Sequence, residues 1–257
     1  MSSMNKRSVR PAQSANFSEV IEVYQDLEQA SRRTAELIVA AAQQATAVGG
    51  RFDLALSGGE TPRTLYSLLA TEFRASIAWS DAHVFWVDER CVPPDHADSN
   101  YRMACETLLD HVPIPPSNVH RMRGEEEPER AAREYESLLR RHFGDDAPRF
   151  SFVLLGMGAD GHTASLFPGS PALDERERLV VAVRVEKLRA YRLTLTPKAI
   201  NGAVHIVFLV AGQEKAEALK TAFDETTDPH QAPTKLIRPH RGELRWIVDR
   251  AAMSASP

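Results

Sequence analysis

Four short apolar runs, Phe52–Leu56, His83–Val87, Phe152–Leu155 and His205–Val210, constrain this chain more than anything else in it. Each is nearly continuous in apolar residues, where a half-wet strand would alternate, so each suits a strand covered on both faces. Each also runs straight into glycines or charges, and stretches with helical periodicity lie between them. Leu27, Ala30, Thr34, Leu37, Ile38, Ala41, Ala42 and Ala45, for example, recur at three- and four-residue intervals until Gly49 and Gly50 stop them. Buried strands alternating with helices predict an α/β fold, a largely parallel sheet with helices on both faces.

The remaining segments fit around that frame. Val20–Tyr24 and Leu244–Val248 read as strands, Val119–Met122 as a short one, and Leu179–Val185 with Arg192–Leu195 as a strand pair. Ser99 is expected to start a helix from Asn100 to about Asp110 that the prolines at 113, 115 and 116 end. Pro128–His142 reads as a charged, solvated helix in which Glu129 faces Arg133, Arg130 faces Glu134 and Glu136 faces Arg140. Pro197–Asn201 makes a helical turn. No repeat, low-complexity tract or linker divides the 257 residues, which predicts one domain over 17–250, a disordered tail over 1–16 and a short tail over 251–257.

Composition narrows the function classes. A net charge of -4 speaks against a general nucleic-acid or acidic-membrane binder, and no window is apolar enough to span a bilayer. The first residues lack the apolar core of a secretory signal, and Cys91 and Cys105 alone fit a reducing compartment, so the expected location is cytoplasmic.

The chemistry concentrates at the ends of the apolar runs. Ser57, Gly58, Gly59, Glu60, Thr61 and Pro62 follow the first. With Thr61 as N-cap and Pro62 in the first helical position, a helix starts directly after the glycines. Backbone N–H groups and a helix dipole then aim at one point and can hold an anion such as phosphate. A Gly-Lys-Ser/Thr ending is absent, so a sugar phosphate suits the loop better than ATP. Asp88, Glu89 and Arg90 end the second run, where open α/β sheets place ligands. The third runs into G-M-G-A-D-G-H, presenting Asp160 and His162. Histidine exchanges protons near neutrality, which makes His162 the candidate general base.

Gly156, Gly158 and Gly161 also spell G-x-G-x-x-G, with Glu186 as a distant acid, but Pro168, Gly169 and Pro171 leave little room for the helix a dinucleotide needs. Arg192 opens R-L-T-L-T-P near a strand end. Lys215 lies in the first turn of the helix after the fourth run, where the dipole disfavours a cation unless an anion is bound.

Taken together, L-S-G-G-E-T-P (56–62), V-D-E-R (87–90), G-M-G-A-D-G-H-T-A-S-L-F-P (156–168), R-L-T-L-T-P (192–197) and A-G-Q-E-K-A (211–216) resemble the glucosamine-6-phosphate isomerase/6-phosphogluconolactonase superfamily, on its lactonase side. The resemblance covers about 17–249. It implies a modified Rossmann-like fold and hydrolysis of a sugar phosphate lactone, 6-phosphoglucono-δ-lactone, to 6-phosphogluconate, with no cofactor and no metal, by a monomer or homodimer. It further implies that Ser57, Gly58, Gly59 and Thr61 hold the phosphate with Lys215, that His162 is the base, and that Arg90 and Arg192 contact substrate. Asp160 or Asp88 would orient the imidazole or bind sugar hydroxyls. The related aminosugar deaminases carry a glutamate five residues after the histidine, where this chain has Phe167. A lactone needs no such ring-opening partner. Glu60 would repel a phosphate and is expected to face solvent. The alternatives are an aminosugar-6-phosphate isomerase, a non-catalytic sugar-phosphate regulator and an NAD-binding protein.

Overall fold

The structure is a computed structural model that describes residues 18–47, 49–186 and 189–254. The expectation for a tail over 1–16 lies outside those residues. Among the described residues, nine strands form two sheets. The larger is wholly parallel, in the order β1 (Ser18–Tyr24), β9 (Glu243–Asp249), β8 (His205–Val210), β5 (Phe152–Leu155), β2 (Phe52–Leu56), β3 (Ala82–Trp86). The smaller is antiparallel, β4 (Asp88–Arg90), β7 (Ala190–Leu195), β6 (Val180–Val185).

Three of the apolar runs, β8, β5 and β2, are interior strands of the large sheet, and the fourth is its edge strand β3. Every residue of β2 and β5 is buried, as is all of β8 beyond its first residue, so both faces are covered as the continuous patterns require. Helix α1 (Leu27–Ala47) packs on α2 (Thr61–Ala70) and against β9 and β8, while α4 (Pro128–Phe143) packs on β6 and β7. Ser99 caps α3 (Asn100–Thr107) by accepting the Arg102 N–H, and a 3₁₀ turn, Leu109–His111, carries the chain on. The short α5 (Pro197–Ile200) and α6 (Ala216–Phe223) complete the helices named here. At the C-terminal end, Ala252 is buried and its N–H donates to Asp249 at 2.7 Å.

Several expectations are corrected. The second apolar run does not end in a charged tip. Val87 belongs to both sheets, donating to the Leu56 carbonyl and accepting from Leu195 N–H, so Asp88–Arg90 becomes a strand of the small sheet. Val119–Met122 is no strand: the preceding 3₁₀ turn, Pro116–Asn118, delivers only Val119 to a single bridge with Val84. On α4, Arg130 pairs with Glu126 and not Glu134, at the helix start where acids are favoured. Nor is α4 merely a solvated face: Glu136 is 8% exposed and binds Arg140 and Arg178, each at 2.8 Å, fastening the helix to the start of β6.

Candidate active site

The strand order locates the site. From β2 the chain moves outward to the edge strand β3, then returns to β5 on the other side of β2 and continues away through β8 and β9. Loops leaving the carboxyl ends of β2 and β5 therefore depart in opposite directions and open a crevice, the usual ligand position in such sheets. The Ser57 loop leaves β2 and the His162 loop leaves β5. Neighbouring parallel strands lie about 4.8 Å apart, so the two loops start side by side, and the Lys215 loop leaves β8 one strand further on.

The Ser57 loop is fixed from below. Tyr66, fully buried on α2, donates its hydroxyl to the Ser57 carbonyl at 2.7 Å. A methyl group at Gly58 would overlap the side-chain amide of Asn100, and Gly59 has φ +97°, so both positions need glycine. Among the described residues, the N–H groups of Gly58, Gly59 and Glu60 donate to no protein acceptor, which leaves them free for an anion. Thr61 is not the N-cap. Glu60 occupies that position with helical backbone angles and no side-chain cap bond, so the helix begins one residue early and Thr61 lies within its first turn. Glu60 does face solvent, with its side chain 89% exposed and paired to Arg63.

The His162 loop is a tight, non-helical turn. Gly158 N–H donates to the His162 carbonyl, and a side chain at Gly158 would overlap the imidazole. Thr163 donates to the Gly156 carbonyl and bridges to Leu166. Residues 163–170 directly after His162 are not helical, so the glycine spacing here lacks the helix that a dinucleotide site needs. Asp160 Oδ1 lies 2.5 Å from His162 Nδ1, and that bond holds the Asp160 carboxyl down to about 2. An ionised carboxylate on Nδ1 fixes the proton there and leaves the Nε2 lone pair free. The Phe167 ring packs against the imidazole, centroids 4.4 Å apart. With its side chain 30% exposed, His162 is reachable from solvent.

Of the two acids offered as orienting groups, only Asp160 bonds the imidazole. Asp88 is 8% exposed and occupied elsewhere. Its Oδ2 accepts from Ser165 Oγ at 2.7 Å, and its carbonyl accepts from Asn100 Nδ2 at 3.0 Å. It ties the His162 loop to the helix that supports Gly58. Glu89, buried beside it, accepts the N–H groups of Asn100 and Tyr101 at 2.7 and 2.8 Å and so anchors α3. Sequence reasoning does not single out Asn100 or Ser165 as site residues. The Ser99 helix cap is the nearest signal for the first, and Ser165 lies inside the longest motif without a mark of its own.

Arg90 and Arg192 are directly opposite each other on β4 and β7. Neither forms an ion pair among the described residues, and burial followed by the Arg90 charge lowers the Arg192 pKa. Two guanidinium groups on facing strand positions have the chemistry to receive an anion. Lys215 sits in the 3₁₀ turn Gln213–Lys215 and not in the first turn of α6, because Gly212, at φ +101° with its N–H on Asp249, winds the chain tightly first. Its side chain is 20% exposed, with the ammonium 4.0 Å from the Glu214 carboxylate. Among the described residues no helix is long and apolar enough to cross a membrane.

A family profile described as glucosamine-6-phosphate isomerases/6-phosphogluconolactonase matches residues 25–246. The chain is 46% identical over 213 residues to a 6-phosphogluconolactonase of Synechocystis sp., covering 81% of this chain and 86% of that one. It is 40% identical over 240 residues to a 6-phosphogluconolactonase of Nostoc sp., covering 92% and 98%. The crystal structure of 6-phosphogluconolactonase from Leishmania guyanensis superposes with a TM-score of 0.80 at 27% identity, covering 94% of this chain and all of that one.

Proposed function

Because the chain belongs to the glucosamine-6-phosphate isomerase/6-phosphogluconolactonase family, we propose that it hydrolyses 6-phosphoglucono-δ-lactone to 6-phosphogluconate, with His162 as general base. The observation that carries the base assignment is the ionised Asp160 on His162 Nδ1, 2.5 Å away, which directs the free Nε2 lone pair to substrate water. Water attacks the lactone carbonyl as Nε2 takes its proton. The resulting imidazolium returns that proton to the ring oxygen as the carbon–oxygen bond breaks. General-base help of this kind is worth about 10²- to 10⁴-fold.

The phosphate is held by the free N–H groups of the Ser57–Thr61 loop at the start of α2, with Lys215 reaching in from the β8 side. Arg90 and Arg192 bind the oxygen-rich end of the sugar or its phosphate and offset developing negative charge. Anchoring the far end of the sugar converts attack into an oriented, near-unimolecular step. Phe167 favours the lactonase over an aminosugar deaminase, because an apolar ring packs on the imidazole where ring opening would call for a carboxylate. Cysteines that remain free thiols accord with a cytoplasmic enzyme.

Acid release from fresh 6-phosphoglucono-δ-lactone, followed by pH-stat with and without protein, tests the reading, with glucosamine 6-phosphate as the rival substrate. Acid release accelerated on the lactone, with no ammonia from the aminosugar, is expected. Ammonia release without lactone hydrolysis would replace the proposal with the deaminase.

A further inference from the structure

Three histidines gather far from the crevice. His83 is the second residue of β3, His120 follows the Val119 bridge, and His142 lies in the last turn of α4. One ring nitrogen from each comes within 4.8 Å of those of the other two, and His83 Nδ1 is 3.0 Å from His120 Nε2. A tetrahedral ion with metal–nitrogen bonds of about 2.0–2.1 Å spaces its nitrogens about 3.3 Å apart, so small ring rotations close the set. His142 Nε2 is 2.6 Å from Oδ1 of buried Asp53, whose strand position pairs with that of His83. A carboxylate on one nitrogen of a histidine is the usual support of a metal ligand, fixing its tautomer and raising its basicity.

The surroundings fit an ion that prefers nitrogen. The Phe85 ring lies 4.6 Å from that of His120, and the Phe143 ring 4.7 Å from that of His142, an apolar collar. The His142 side chain is 12% exposed and His83 and His120 are half-buried, which leaves an entry path. Arg51 is the nearby cation. It bonds Asp53 Oδ2 at 3.2 Å and the His142 carbonyl at 2.6 Å, which offsets the Asp53 charge. Imidazole coordination then has to supply the affinity, and this selects zinc-class ions over magnesium or calcium.

We propose that His83, His120 and His142 bind one divalent transition-metal ion of the zinc class, with Asp53 positioning His142. The site is structural. His83 precedes Asp88 by five residues, roughly 16 Å of extended chain, which sets the cluster away from the proposed reaction edge. Bound metal would clamp the end of α4 and the His120 segment to the edge strand.

The test uses untagged, chelator-treated full-length protein, titrated with Zn²⁺ by calorimetry and with Co²⁺ by visible absorbance, alongside thermal melting. One equivalent should bind, Co²⁺ should give ligand-field bands of a tetrahedral site, and Zn²⁺ at a hundredfold excess over Kd should raise Tm by roughly 5 °C. His120→Gln and His83→Gln should each weaken binding at least tenfold, about one decade or 1.4 kcal/mol, whereas His162→Gln should not. If neither cluster variant folds, histidine ring signals of the wild-type protein decide, because Zn²⁺ must then shift three of them that survive in His162→Gln. Wild-type protein that binds no Zn²⁺, or binding abolished by His162→Gln and kept in His120→Gln, would overturn the proposal.

Discussion

Asp160 and His162 are two residues apart, and their bond sets which nitrogen of the imidazole can act. Asp160 is depressed from an ordinary value of 3.8 to about 2. A lowered carboxylate contributes above its unfolded value and loses that contribution only as pH falls through its folded one. Asp160 therefore adds no step to the activity profile above about pH 4. Asp160→Asn should lower kcat by roughly ten- to a hundredfold, since an amide can present its N–H and hold the wrong tautomer. Steady-state kinetics of the variant check this. In the sequence Asp160 and Asp88 stand as alternatives for the orienting acid. The structure puts Asp160 on the imidazole, whereas Ser165 and Asn100, which occupy oxygens of Asp88, are remote in the chain and leave no local signal.

At the scale of elements, the glycine loop and the arginine pair make opposite demands on stability. Gly58→Ala would drive a methyl group into Asn100 and push the loop off its support. A loss of roughly 1–3 kcal/mol in stability is expected, together with a raised KM, read from Tm and steady-state kinetics. Arg192→Ala should raise KM about tenfold or more, the scale of a lost charge-assisted contact. It should leave Tm unchanged or higher, because the repulsion between Arg192 and the Arg90 charge directly opposite it would be relieved. The Ser99 cap and the buried strands were readable from the sequence, whereas the start of α2 lay one residue earlier than Thr61 and Pro62 suggest and Lys215 fell in a 3₁₀ turn before α6. The split of β3 from β4 was not readable either, because Val87 changes sheets through bonds to Leu56 and Leu195, which no local pattern announces.

At the scale of the molecule, a parallel sheet buried on both faces provides the rigid floor from which the loops project. Leu154, fully buried in β5 directly beneath the His162 loop, tests that floor. Leu154→Ala should cost about 2–5 kcal/mol, seen as a lower denaturation midpoint with an unchanged m-value. Continuous apolar runs alternating with helices made the α/β class legible, whereas strand order depends on pairings between distant segments and came only from the structure. That order is what places the β2 and β5 loops on either side of one crevice. The most direct measurement is the steady-state kinetics of His162→Ala on fresh 6-phosphoglucono-δ-lactone. The account predicts a fall in kcat of about 10²- to 10⁴-fold with KM largely kept, since the phosphate cradle is untouched. Full lactonase activity in that variant would contradict it.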